Sequence, residues 1–335
     1  MSMVVSRAPL RISFFGGGSD YPSWYLREGG AVLSTTIDKY IYITCRYLPP
    51  YLGTKHRVVW RYVEQVDSIA EILHPAVRAG LYYLDFDDKL GIELHYQGDL
   101  PSRSGMGSSS SFVVAMLQAL TSMRGLEVDK QRLAEMAIEL EQVRMRETVG
   151  SQDQVAASFG GLNVITFRKD GKFDVHPVTL STKRQNDLLD RLLLFFPGGS
   201  RIASDIAADV VANLPSRSNS IHRMVQMVHE GEEILRHGEL DDFGQLLHEA
   251  WELKRGLSDR VSNDYIDGVY SAARQAGALG GKLLGAGESG FMLLYAPPDR
   301  HSDILETLRS RCVHVPFNLD EEGACVIYRA DSAAE

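Results

Sequence analysis

Apolar residues change their spacing several times along the chain, and each change marks an element. Ala31 to Arg46 is rich in Val, Ile, Thr and Tyr, and Tyr40-Ile41-Tyr42-Ile43-Thr44 has the composition of a strand. Arg57 to Tyr62 and Gly91 to Tyr96 add two shorter strands, and Pro75 to Leu84 between them reads as a helix with proline near its first turn. Ser108 to Met123 carries Phe112, Val113, Val114, Ala115, Met116, Leu117, Ala119 and Leu120 and has little polar face, which predicts a buried helix. Leu133, Met136, Ala137 and Leu140 fall on one face of an amphipathic helix over about Asp129 to Glu147, and Gly150 ends that region. Gly160 to Phe167 and Lys172 to Val178 predict a strand pair joined at Asp170-Gly171.

The second half alternates. Leu192 to Phe196 reads as a buried strand, and several helices follow to about Ala276 with a break at Pro215. A strand pair around Lys282 to Tyr295, a helix from about Ser302 to Arg311 and two strands ending at Tyr328 complete the pattern. Strand runs followed by helix runs indicate an α+β organisation rather than regular βαβ winding. The division falls near residues 165–190, giving an N-terminal domain over 1–180 and a C-terminal domain over 181–330, with 331–335 as a disordered tail.

Composition narrows the function classes. The 335 residues suit about two domains, and 44% hydrophobic with 24% charged residues is an ordinary globular mixture. A net charge of −9 argues against nucleic acid or an anionic membrane as partner, although backbone N–H groups can still bind phosphate locally. Cys45, Cys312 and Cys325 are too few and wrongly spaced for a disulfide framework or a zinc site. The N-terminus shows no signal-peptide pattern, and no apolar run approaches the ~20 residues that span a bilayer. The expectation is a soluble, cytoplasmic protein.

Three glycine-rich places carry the candidate chemistry. In Ala8-Pro9-Leu10-Arg11-Ile12-Ser13-Phe14-Phe15-Gly16-Gly17-Gly18-Ser19-Asp20-Tyr21, a cation on a strand precedes a glycine run that admits a ligand close to the backbone. The following carboxylate can accept hydrogen bonds from sugar hydroxyls, or simply cap a turn. Pro101-Ser102-Arg103-Ser104-Gly105-Met106-Gly107-Ser108-Ser109-Ser110-Ser111 runs into the buried helix. The free N–H groups of that helix start form an anion site, and the serine hydroxyls offer donors or a Mg²⁺ ligand. It lacks the Gly-Lys-Ser/Thr ending of a Walker A loop. Gly285-Ala286-Gly287-Glu288-Ser289-Gly290 fits G-x-G-x-x-G, but the strand Phe291 to Tyr295 follows where a dinucleotide fold needs a helix, so a tight loop between strands is the reading.

Among the acidic residues, Glu141 lies on the amphipathic helix, where most carboxylates face water. Asp153 follows Gly150, where it could cap a short helix. No HExxH, Cys/His pairing or G-x-S-x-G elbow occurs.

The ordered set resembles the GHMP kinases, the family of galactokinase, homoserine kinase, mevalonate kinase and phosphomevalonate kinase. The stretch 8–21 is similar to the galactokinase-type first motif, Pro101 to Ser109 to the second motif P-x-x-x-G-L-G-S-S with Met106 for the usual Leu, and Lys282 to Gly290 to the third. Phe14-Phe15-Gly16-Gly17-Gly18-Ser19-Asp20-Tyr21-Pro22, the segments Gly29 to Ser34 and Ile37 to Tyr42, and Gly150-Ser151-Gln152-Asp153-Gln154 resemble the subgroup of heptose 7-phosphate kinases. Galactokinase has Gly-Glu-His-Thr where this chain has Gly16-Gly17-Gly18-Ser19, so the sugar contact of that Glu does not carry over.

The resemblance implies a ribosomal-protein-S5-like N-terminal domain, a ferredoxin-like C-terminal domain and a site between them. It implies ATP-dependent phosphorylation of a sugar-phosphate hydroxyl, the anomeric one, with Mg²⁺. Asp153 takes the catalytic aspartate's place and Arg11 that of the arginine beside the transferred phosphoryl group. Pro101, Ser104, Gly105, Met106, Gly107, Ser108, Ser109 and Ser110 form the nucleotide loop; Ser109 and Glu141 hold the metal; Gly17, Gly18, Ser19, Asp20, Gln154 and Gly287 bind the substrate. Lys39, Arg46, Arg57 and Arg61 are candidate cations for an acceptor phosphate, against the simpler reading that strand cations face water. Another GHMP sugar kinase, for fucose or a hexose phosphate, or a non-catalytic sugar sensor on the same fold, are the alternatives. Oligomeric state is left open by the sequence.

Overall fold

The computed structural model describes residues 3–102, 104–198, 209, 211–214, 217–287 and 289–330. The break expected at Pro215 and the tail 331–335 lie outside the described residues. In chain order the first part runs β1 (Met3–Phe15), α1 (Pro22–Glu28), β2 (Gly30–Leu48), β3 (His56–Val59), β4 (Val63–Val66), α2 (Pro75–Tyr83), β5 (Gly91–Gly98), α3 (Ser108–Met123), α4 (Lys130–Ile138), α5 (Gln152–Phe159), β6 (Leu162–Phe167) and β7 (Phe173–Pro177). The second part runs α6 (Thr182–Leu189), β8 (Leu192–Phe196), α7 (Ser218–His237), α8 (Leu240–Arg255), α9 (Asp264–Gln275), β9 (Gly280–Leu283), β10 (Met292–Tyr295), α10 (His301–Leu308), β11 (Val313–His314), β12 (Leu319–Asp320) and β13 (Cys325–Ala330).

Two sheets organise these elements. The large sheet has the order β13-β1-β2-β5-β3-β4, with β6, β7 and β12 also attached through β2; the small antiparallel sheet has the order β11-β8-β10-β9. β1 alternates in burial over its first residues and is buried on both sides from Ala8 onward, because α3 covers one face and α7 and α8 cover the other. Ser6 Oγ donates to Ala115 O at 2.6 Å and Ser111 Oγ to Pro9 O at 2.9 Å, fixing α3 on the sheet. Phe14 and Phe15 meet Phe243 of α8 edge-on at 5.2 and 5.1 Å, so the end of β1 is where the two halves join.

Three sequence expectations change. The segment Arg57 to Tyr62 is not one strand: it breaks after Val59, and Val63–Val66 pairs back on it as a hairpin. The amphipathic helix widens after Ile138 into a π-helical segment, Glu139–Arg144. The expected C-terminal segment 181–330 does not keep its strands to itself, since β12 and β13 pair with β2 and β1 of the large sheet. Edge pairing of that kind depends on distant partners, which local composition does not reveal.

The junction is tightly packed at Gly231. A methyl group there would sit 2.6 Å from Phe15 Cε2, a ring already locked against Phe243. Gly231→Ala should cost about 1–3 kcal/mol through overpacking, beyond what alanine returns in helix propensity. Gly268→Ala, on α9 with no described residue within 4 Å of the added carbon, should gain about 0.5–1 kcal/mol. Urea unfolding midpoints check both; a Gly231→Ala variant as stable as the parent contradicts this packing.

Candidate active site

Three stretches far apart in sequence meet on β1, and Arg11 connects them. Its Nε and Nη2 donate to Asp153 Oδ1 and Oδ2 at 2.7 and 2.9 Å, a two-pronged fork that fixes the carboxylate plane. Its Nη1 donates to Gly105 O at 2.6 Å, and its backbone N–H donates to Met106 O at 3.1 Å. The Arg11 side chain is 6% exposed and that of Asp153 23% exposed, so the carboxylate is the member of the pair a ligand can reach.

The loop before α3 has the geometry of an anion cradle. Gly105 and Gly107 adopt positive φ of 78° and 77°, and Gly107 caps the helix without a side chain. The N–H groups and dipole of the helix start therefore point out of the loop. A Cβ on Gly107 would lie 3.2 Å from Asp153 Oδ2 and 3.4 Å from Arg11 Cγ, so the cradle lies directly against the ion pair. The third glycine-rich loop backs it: a Cβ on Gly285 would lie 2.3 Å from Gly105 Cα, and Phe291 N–H donates to Ser104 O at 3.1 Å. Lys254 Nζ donates to Leu283 O at 2.8 Å and to Gly285 O, and Lys282 Nζ donates to Phe14 O at 2.9 Å. Desolvation, with Arg11 nearby, brings the Lys282 ammonium down to about 7, and desolvation with Lys282 and Arg11 holds Lys254 well below the usual lysine range.

Glu141 sits in the π-helical segment, which turns its carboxylate inward. It is fully buried; Oε2 accepts from Ser110 Oγ at 2.8 Å and from Gln154 Nε2, while Oε1 has no partner among the described residues. Burial pushes its carboxyl up to about 7, against the lowering effect of those two donors. An orphaned carboxylate oxygen beside a serine hydroxyl and an anion cradle suits a hard divalent cation. No group of three His, Cys, Asp or Glu among the described residues forms a cage, so phosphate oxygens and water would complete the shell.

The first glycine run wraps around Asp20. Gly18 N–H donates to Oδ1 at 2.9 Å, Gln152 N–H reaches Oδ2 at 3.5 Å, and Ser151 N–H donates to the Asp20 carbonyl at 2.9 Å. Gly150 is required here, since a Cβ would lie 1.9 Å from Asp20 Oδ2. Burial, then the charge of Asp153, raises the Asp20 carboxyl above its ordinary range.

The structure thus brings Arg11, Asp153, Gly105, Gly107, Asp20 and Glu141 together, and it redistributes several expected roles. Ser110, not Ser109, faces Glu141; Ser109 is exposed on the same turn. Gln154 is fully buried and turned toward Glu141, while its neighbour Gln152 approaches Gly17. The Ser19 hydroxyl is buried and bonded to Gly16 O and Ala31 O at 2.8 and 3.0 Å, so it holds the loop rather than facing a ligand. The Met106 side chain is in the core, Pro101 is exposed, and Gly287 packs on the backbone of Arg260 and Val261. Asp153 does not cap α5; Ser151 holds the cap position. Three of the cations expected to grip an acceptor phosphate already have carboxylate partners. Arg46 and Arg57 both pair with Glu93, and Lys39 pairs with Asp38. Arg46 stands opposite Met3, eight residues and about 27 Å along β1 from Arg11.

An anion cradle touching an arginine-held aspartate is the layout of a phosphoryl-transfer enzyme without a Walker loop. The family described as GHMP kinases N terminal domain matches residues 68–161, and the GHMP kinases C terminal family matches residues 232–314. The chain belongs to the GHMP kinases, and it is a sugar kinase, a phosphotransferase with an alcohol acceptor. It is 28% identical to the D-glycero-alpha-D-manno-heptose 7-phosphate kinase of Campylobacter jejuni, over 96% of this chain and 98% of that one. It is also 28% identical to the bifunctional fucokinase/GDP-fucose pyrophosphorylase of Arabidopsis thaliana, over 93% of this chain but 31% of that protein. The fold superimposes on a D-glycero-D-manno-heptose 1-phosphate kinase from Bacteroides thetaiotaomicron with a TM-score of 0.79 at 22% identity, covering both chains fully. No helix among the described residues is long and apolar enough to cross a membrane.

The buried Glu141 makes stability depend on pH. A carboxyl raised to about 7 in the fold binds protons more tightly than in the unfolded chain, so its contribution to stability falls as pH rises from its ordinary value near 4.5 to about 7. Glu141→Gln removes that burden. The variant's stability relative to the parent should increase between pH 5 and pH 8, by at most about 3 kcal/mol, in denaturant titrations without divalent cations. Parallel pH profiles for the two proteins contradict the buried, cation-ready carboxylate.

Proposed function

We propose that this sugar kinase transfers the γ-phosphoryl group of ATP to the anomeric hydroxyl of D-glycero-D-manno-heptose 7-phosphate. The product, the 1,7-bisphosphate, would feed nucleotide-activated heptose for bacterial surface polysaccharide. The observation that carries the chemistry is the contact of the Gly107 turn with an aspartate gripped in the Arg11 fork. The choice of heptose phosphate is supported by the near-full-length relative from Campylobacter jejuni that bears that name. Fucose is the second reading, because relatives from Arabidopsis thaliana and Bacteroides fragilis are named fucokinases.

In this mechanism the ATP phosphates rest on the Gly105–Ser110 turn and the start of α3. The fork holds Asp153 so that its free lone pairs face the acceptor, whose O–H proton passes to the carboxylate. The acceptor oxygen forms its bond to the γ-phosphorus as the bond to the ADP oxygen breaks. Such transfer relies on positioning and charge stabilisation more than on covalent catalysis. Arg11 stabilises charge that develops on the moving group. Mg²⁺, when bound, would neutralise phosphate charge, and Glu141 with Ser110 or Ser109 would hold it. The anomeric hydroxyl is more acidic than an ordinary alcohol, which suits a carboxylate already paired with arginine.

An acceptor panel of the heptose 7-phosphate, L-fucose, mannose and mannose 6-phosphate tests the assignment. The heptose phosphate should exceed the others in kcat/KM by at least tenfold. Asp153→Asn should lower kcat by about 10²–10⁴-fold and leave ATP affinity nearly unchanged. Preferred turnover of fucose overturns the heptose reading, and an Asn variant with near-parental kcat removes Asp153 from the chemistry.

A further inference from the structure

The space above Gly17 has polar walls whose hydrogen-bonding capacity is unused. A Cβ built on Gly17 would lie 3.9 Å from both Gln152 Nε2 and Ser13 Oγ, with no other atom within 4 Å among the described residues outside its chain neighbours. Ser13 is 7% and Gln152 9% exposed, and Ser13 Oγ and Gln152 Oε1 have no hydrogen-bond partner among the described residues. Buried polar atoms of that kind are costly unless something fills the site. Both residues are placed by rigid elements. Ser13 stands at a register shift of β1, where Ser13 pairs with Ser34 and Phe15 with Leu33, and such a bulge re-aims a side chain. Gln152 opens α5 directly before Asp153, and its N–H reaches Asp20.

We infer that Ser13 and Gln152, on either side of Gly17, form a subsite that reads a hydroxyl group of the acceptor sugar beside the one that reacts. The inference rests on the sugar-kinase reading and adds two positioning residues to it. The chemistry selects a hydroxyl over a phosphate. An amide presents one acceptor and one donor side, and a serine hydroxyl both gives and takes, so a sugar O–H satisfies all of them. A phosphate ester, which carries acceptors only at neutral pH, would leave the Gln152 oxygen unpaired. Glycine at position 17 keeps the space open. Its backbone is outside the positive-φ region and a methyl group there meets only ordinary contacts, so alanine is compatible with the fold yet occupies the space the ligand needs.

The test is steady-state kinetics with D-glycero-D-manno-heptose 7-phosphate and L-fucose as acceptors, alongside calorimetric titration with ATP. Ser13→Ala and Gln152→Ala should each raise the acceptor KM at least fivefold, and Gly17→Ala more than tenfold. In all three the ATP Kd should stay within twofold of the parent and kcat within about threefold. That split distinguishes lost acceptor grip from a displaced Asp153, which would lower kcat. Unchanged acceptor KM in both Ser13→Ala and Gln152→Ala, in a parent that turns over sugar, overturns the subsite and leaves the kinase reading standing. A parent that binds ATP but phosphorylates neither acceptor defeats the acceptor reading and the subsite together.

Discussion

The site depends on one buried guanidinium. Arg11 lies on a strand covered on both faces, and a charge in that position needs a partner and hydrogen bonds on its remaining donors. The protein supplies both from separate places: the Asp153 carboxylate at the start of α5 and the carbonyl of Gly105 in the glycine turn before α3. Satisfying Arg11 therefore fixes the distance between the group that would take a proton and the backbone that would hold phosphates. The glycines follow from the same closeness. Gly107 approaches Asp153, Gly150 makes room for Asp20, and Gly105 and Gly285 touch backbone to backbone, so a side chain at any of them would separate the parts.

The C-terminal half acts mainly as a brace for this arrangement. The loop after β9 lies against the glycine turn before α3, Lys254 ties the carbonyls of Leu283 and Gly285 to α8, and Lys282 ties β9 to the end of β1. The Phe14, Phe15 and Phe243 contact adds an apolar clamp at the same level. The last two strands, β12 and β13, then return to the large sheet that β1 and β2 began.

Much of this was legible in the residue order because it is local. The apolar run of α3, the glycine-serine turn before it and the glycine loop between β9 and β10 are each specified by a dozen or so neighbouring residues. Arg11, Asp153 and Glu141 came from the family resemblance rather than from spacing. What stayed hidden depends on phase and on distant pairing. Whether Ser109 or Ser110 meets Glu141 is set by helix rotation and by the π-helical turn, and the choice between Gln152 and Gln154 is set by where α5 starts. The cations Lys39, Arg46 and Arg57 looked available because composition does not show that Arg46 and Arg57 share Glu93 or that Lys39 turns onto its neighbour Asp38.

The central claim is that Arg11 and Asp153 work as one unit. A double-mutant cycle of Arg11→Lys and Asp153→Asn tests it directly, with kcat measured on the best acceptor at saturating ATP. Residues that act as a unit are strongly non-additive, since either change alone destroys the shared geometry. The account predicts a double variant within about threefold of the slower single variant. Losses that multiply across the two substitutions would contradict it.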